Sequence, residues 1–216
     1  MRADSCGSIC HSGSGGRYGK KNTRLFLGLG VEDWMTLLHD LVYILGTVAV
    51  VFVFFVRVFT VEGLSMQPTL REGDQLLVLN QLWYSTPQAG DVVIARVPEF
   101  SEDPIVKRVI AVEGDVVDID FGTGAVSVNG EILEEEYTSE PTYRDFGSMG
   151  VEFPLVVEPG CVFLLGDNRN VSYDSRYEPI GQVDTRCILG RVIFLALPGS
   201  DGETHVRDFD RIGVIH

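Results

Sequence analysis

Lysine is used three times in 216 residues, at Lys20, Lys21 and Lys107. From residue 60 onward arginine occurs ten times and lysine once. Arginine keeps its proton in a protein, whereas a desolvated lysine can give it up. Lys107 stands in the apolar run Ile105 to Val112, where strand alternation puts Ile105 and Val109 on its own face. Burial there lowers its pKa. Reaching ~7.5 from ~10.4 corresponds to ~4 kcal/mol of differential destabilisation of the charged form. A neutral amine of that kind is a competent general base. On composition alone a snorkelling or paired lysine, next to Arg108 and near Glu113, stays open.

Ser65 is the matching candidate nucleophile. It lies in Glu62-Gly63-Leu64-Ser65-Met66-Gln67-Pro68-Thr69-Leu70, where Gly63 permits a tight backbone and Pro68 stops a continued strand or regular helix. A serine at such a bend can present its hydroxyl and its own N–H to one carbonyl, although a lone serine in a turn is usually only a turn residue. A third cluster, Gly166-Asp167-Asn168-Arg169-Asn170-Val171-Ser172-Tyr173-Asp174-Ser175-Arg176, mixes turn formers, hydroxyls and a potential Asp–Arg pair. Its Asn170-Val171-Ser172 is formally a glycosylation sequon, but a glycan there would cover the loop. Histidine is placed only at His11, His39, His205 and His216. A Ser–His–acid triad or a zinc site between residues 40 and 204 would have to borrow from outside. No metal or cofactor is expected.

The elements that must position these residues fall into three parts. Residues 1–33 are Gly/Ser-rich, read as a flexible tail, and carry five basic against three acidic side chains. Cys6, Cys10 and His11 lie close together there, one ligand short of a metal site. Leu41 to Val56 is a run of 16 uncharged residues; extended to Trp34 and Phe59 it reads as a membrane anchor over 34–59. Arg57 snorkels at its end, and Trp34 and Tyr43 suit an interfacial belt. The segment Phe59-Thr60-Val61-Glu62-Gly63 at the end of the span lacks the small residues of a cleavage site, so the span reads as uncleaved. The preceding positive charges place the N-terminus in the cytoplasm and everything beyond Phe59 outside.

Residues 60–216 carry 11 basic and 27 acidic side chains within a total charge of −14, which excludes a nucleic-acid binder. Period-two runs recur at 75–79, 91–97, 105–112, 116–120, 125–128, 162–165 and 188–197, with Gly, Pro, Asp and Asn between them. The expected fold is mostly β: a coiled, partly closed antiparallel sheet after a single N-terminal transmembrane helix, with 116–158 as a small β extension.

Ser65-Met66-x-Pro68-Thr69-Leu70, Gly90-Asp91-Val92-Val93, Lys107-Arg108-Val109-Ile110-Ala111 and Gly166-Asp167-Asn168-Arg169 through Asp174-Ser175-Arg176 occur in that order. In this the chain resembles the bacterial type I signal peptidases, the serine/lysine-dyad leader peptidases, over residues 34–216. The resemblance implies that Ser65 is the nucleophile and Lys107 its general base. Ser172 corresponds to the hydroxyl that holds the lysine amine, and Asp174 and Arg176 to a bracing pair. The Ser65 N–H would meet the oxyanion; Gly63 stands where some members add a serine hydroxyl, and Asn170-Val171 replaces the more usual Asp-Asn. Phe59, Val61, Ile105 and Val106 would line shallow apolar pockets that admit small residues at the first and third positions before the cut. The implied partners are signal peptides of exported preproteins and membrane lipid, at the cell membrane.

Self-cleaving repressors of the SOS-repressor type share the dyad but would need a DNA-binding domain where the apolar span stands. A catalytically idle anchored scaffold would have lost Ser65 or Lys107, and both are present. Leu82-Trp83-Tyr84 fits either the headgroup region or a core, and Glu134-Glu135-Glu136 reads as a solvated hairpin. Cys161 and Cys187 lie on strands where oxidation is permitted.

Overall fold

The computed structural model describes residues 31–200 and 206–215, so Cys6, Cys10 and His11 and nearly all of the expected tail lie outside the described residues. The first element is the helix α1, Val31–Phe55. Its 25 residues span about 37 Å at 1.5 Å each, enough to cross a ~30 Å hydrocarbon core. The segment Asp33–Phe55 has a mean hydropathy of 2.2 and is exposed along its length, unlike the buried core helix of a soluble protein. The helix ends at Phe55, short of the expected Phe59. Val56–Thr60 forms strand β1 instead, because its alternating β-branched and aromatic residues find hydrogen-bond partners at Leu79 to Gln75.

The later strands are β2 (Gln75–Asn80), β3 (Val92–Ala95), β4 (Ile105–Val112), β5 (Val116–Asp120), β6 (Ala125–Val128) and β7 (Glu131–Ile132). After them come β8 (Leu155–Val156), β9 (Cys161–Leu165), β10 (Val183–Asp184), β11 (Ile188–Leu197) and β12 (Gly213–Val214). Eight form one antiparallel sheet in the order β1-β2-β11-β3-β4-β9-β10, with β12 on β11. Register shifts in β11 and in β4 bend this sheet into a curled half-barrel. The other four make a small sheet, β7-β6-β5-β8.

Three apolar clusters hold these layers. Val93, Ala95, Val109, Leu164 and Ile188 pack on one face of the large sheet, and Leu76, Val78, Val92, Ile94 and Val192 on the other. Ile110, Phe163 and Leu165 leave the large sheet to meet Val117, Ile119 and Val126 of the small one. β4 enters all three clusters, and for that reason it is buried along most of its length. A charged side chain on this strand is therefore forced out of water.

Candidate active site

Ser65 sits in the turn that joins β1 to β2. Val61 donates its N–H to Asp74 O and accepts from Gly73, closing the base of the turn at 2.8 Å on both sides. Gly63 has φ +84°, a backbone shape that a side chain would strain. The turn is tied down from the 166–176 loop. Asn168 donates its N–H to Ser65 O at 3.0 Å and its side-chain amide to Leu64 O at 3.1 Å. Thr69 donates its hydroxyl to Asp167. Gly166 lets the two segments meet, since a Cβ there would lie 2.2 Å from Ser172 Oγ and 2.5 Å from Ser65 O.

Lys107 Nζ donates to Ser65 Oγ at 2.8 Å and to Val106 O at 3.0 Å. Only 3% of the residue is exposed. Burial pushes its ammonium down to about 8, against the pull of the Asp174 and Asp167 carboxylates. None of its hydrogen bonds goes to a carboxylate, which would have kept it charged.

Asp174 takes two bonds from the Arg176 side chain, at 2.8 and 2.9 Å, a longer one from the Arg176 backbone N–H at 3.4 Å, and one from the Gly166 N–H at 3.1 Å, all in full burial. Burial raises its carboxyl, but the Arg176 guanidinium and these N–H donors overcome that and hold it below the usual carboxylate range. Ser172 is also fully buried, yet it makes no hydrogen bond to Lys107. Its hydroxyl is near enough to Asp174 to add to the lowering there, but it meets no partner at hydrogen-bond geometry.

Ser65 and Lys107 open into a cavity of about 390 Å³ whose walls include Phe59, Val61, Ile105 and Val106. Residues 105–107 of β4 pair with β3 on one side, while β9 joins the other side only from Arg108 onward. A stretch of strand edge therefore borders the cavity beside the Ser65 turn. Phe59, Val61 and Val106 belong to one apolar cluster with Met66 and Ile94. Ile105 packs on the opposite face of the sheet, so these four residues do not form a single floor.

Other residues bear on the site without having been assigned a part in it from the sequence. Arg108 grips Asp167 with two bonds of 2.8 Å and Gly90 O with a third, while Tyr137 lies over its guanidinium, 4.0 Å from the ring centre. Arg169 pairs with Glu135, so this member of the acidic run is an anchored ion-pair partner and not solvated. The sequence signal was present in both cases: arginines inside apolar or loop segments too buried to stay unpaired.

Tyr84 is core and donates to Asp91 at 2.6 Å, whereas Leu82 and Trp83 are exposed and Trp83 stacks on Phe55 at 4.5 Å. Cys161 and Cys187 are both free thiols. Among the described residues, no group of three His, Cys, Asp or Glu side chains is placed to hold a metal ion.

A family-wide sequence profile described as "Signal peptidase, peptidase S26" matches residues 34–197. A probable signal peptidase I-1 of Synechocystis sp. is 34% identical over 167 residues, covering 71% of this chain and 80% of that protein. Signal peptidase I of Bacillus licheniformis is 34% identical over 162 residues, with coverage of 70% and 84%. Thylakoidal processing peptidase 1 of Arabidopsis thaliana is 33% identical over 152 residues; the match takes in 65% of this chain and 42% of that longer protein. The apolar helix and these relatives make the protein a membrane-anchored one. The chain belongs to the signal peptidase family, peptidase S26, the serine peptidases that remove signal peptides from preproteins.

Proposed function

We propose that this chain cuts preproteins with a Ser65–Lys107 dyad, after small residues at the first and third positions before the scissile bond. The observation that carries the reading is the 2.8 Å contact between Ser65 Oγ and a buried amine whose pKa lies near 8. Neutral Lys107 takes the Ser65 proton as the oxygen attacks the scissile carbonyl, and the Ser65 N–H meets the oxyanion. The tetrahedral adduct collapses to an ester on Ser65, and the leaving amine takes the proton back from Lys107. A water, deprotonated by the same amine, then releases the signal peptide and restores Ser65.

The substrate lies as an extended strand along the edge of β4, with its small side chains against Phe59, Val61 and Val106. Asp174 and Arg176 hold the loop that carries Ser172. Ser172 supports the amine by a short rotation of its hydroxyl toward Nζ. The N-terminus is cytoplasmic, the domain from residue 60 is extracytoplasmic at the cell membrane, and lipid surrounds α1.

Cleavage of a preprotein bearing an Ala-x-Ala signal peptide, by the detergent-solubilised full chain beside its Ser65→Ala variant, tests the reading. Cutting at the junction by the first alone is expected. Equal cutting by both, or by neither, overturns it.

A further inference from the structure

Strand β4 offers its two faces to different surroundings inside the same cavity. Val106 belongs with Phe59, Val61 and Met66 to one apolar cluster, while Ile105 belongs with Phe100 and Tyr177 to the cluster on the other side. Phe100 and Tyr173 line the cavity that contains Ser65 and Lys107, and neither has a part in the dyad chemistry. Their rings stack at 5.9 Å with 28° between planes. Tyr177 stands edge-on to Tyr173 at 5.2 Å, and the Arg144 guanidinium lies 4.4 Å from the Tyr173 ring centre. Arg144 is itself fixed by donating to Val171 O at 2.8 Å. Tyr173 is nonetheless 43% exposed. This is an aromatic surface immobilised before anything binds, so a ligand that covers it pays little further ordering entropy.

A peptide bound as a strand sends successive side chains to opposite faces. When the first and third residues before the scissile bond lie on the Val106 face, the second lies on the Ile105 face. We infer that Phe100 and Tyr173, beside Ile105, form a specificity subsite for the second residue before the cut, and that this subsite takes an apolar or aromatic side chain. The inference rests on the Ser65–Lys107 reading for the direction and placement of the peptide. Chain-specific geometry carries it: two stacked rings, held by a cation from the small-sheet segment, in the wall of the same cavity and apart from Phe59, Val61 and Val106.

Two preproteins that differ only in carrying Ala-Phe-Ala or Ala-Ala-Ala before the junction test it, read as the ratio of their kcat/KM values with the full chain. An aromatic contact of this kind predicts a ratio of about 3 to 10 in favour of phenylalanine. The ratio should fall to about one in Tyr173→Ala and in Phe100→Ala, and hold in Tyr173→Phe, which keeps the ring. A parent ratio of one or less, or an undiminished ratio in folded Tyr173→Ala, overturns the subsite. The same two sequences, as labelled peptides, are also measured for binding to the Ser65→Ala full chain. Should the parent cut neither substrate, the dyad reading fails, and the binding ratio alone then decides the subsite: tighter phenylalanine binding supports it and equal binding overturns it.

Discussion

Lys107 and Arg108 are neighbours on one strand, both cationic by type and both almost fully buried, at 3% and 2% exposure. Arg108 meets a carboxylate through two bonds of 2.8 Å and a backbone carbonyl through a third. Lys107 meets a hydroxyl and a carbonyl. The region around Arg108, with Asp167, and the loop around Arg176, with Asp174, hold matched charges that cannot leave without a large penalty. The region around Ser65 holds one unmatched charge that can leave as a proton. Matched pairs therefore fix the geometry, and in the proposed reaction the mismatch supplies the base. One strand does both because successive side chains point to opposite faces, so carboxylates can be kept off one cation while being supplied to the next.

Collapsing the difference should have the largest effect. Lys107→Arg keeps the size and the charge but not the ability to lose a proton, and kcat/KM on an Ala-x-Ala preprotein should fall by about 10³-fold or more. Turnover within tenfold of the parent would mean that Lys107 is not the base. Breaking the matched region acts on folding instead. Asp167→Ala strands the Arg108 guanidinium and should cost about 3–5 kcal/mol in denaturant unfolding. A loss below 1 kcal/mol would show that water reaches the pair.

The unmatched lysine gives two further outcomes. The rate should fall about tenfold per pH unit below about 8 and level off above it, since only the neutral amine accepts the serine proton. A flat rate from pH 5 to 9 would contradict this. Stability runs in the same direction. Between about 8 and its ordinary 10.5 the lysine is charged in the unfolded chain and neutral in the folded one, so the unfolded state binds more protons and stability rises with pH. Below that window both states are charged and the folded one bears the full cost, about 3 kcal/mol. Lys107→Met should therefore be inactive yet more stable than the parent at pH 7 by up to about that amount, and the gap should close by pH 11. A Met variant that is less stable at pH 7 would show that the Ser65 and Val106 contacts outweigh burial.

The strands were legible because period two and turn residues are local signals: the run 105–112 coincides with β4 and 188–197 with β11. The exit from the helix was not. Val56, Val58 and Phe59 are as apolar as the residues before them, Arg57 alone breaking the run, and only their pairing with β2, a long-range fact, makes them strand. Ser65 and Lys107 were legible by scarcity and motif, and the structure places them in contact. Ser172 was expected at the amine; it is fully buried but its hydroxyl meets no partner at hydrogen-bond geometry, and no spacing encodes the rotamer of a side chain. Glu135 looked solvated because its partner Arg169 is 34 residues away, and a charge run carries no sign of what will fold against it.

Asn168 joins the two regions and sharpens the comparison most finely. It follows Asp167 directly, so the matched Arg108–Asp167 pair fixes its backbone. From there it reaches across to the unmatched region with two bonds, N–H to Ser65 O and amide to Leu64 O. Asn168→Ala removes the second bond and leaves the first. The bond at stake is worth about 1 kcal/mol, so kcat should fall by about fivefold. KM should change less, because the cavity walls that would hold the peptide, Phe59, Val61 and Val106, are untouched. The apparent pKa of the acidic limb should stay near 8, since Lys107 owes its value to burial and not to Asn168. A moved limb with unchanged kcat would place Asn168 in the electrostatics of the amine; a lowered kcat with the limb in place shows that the matched region works by holding the serine still.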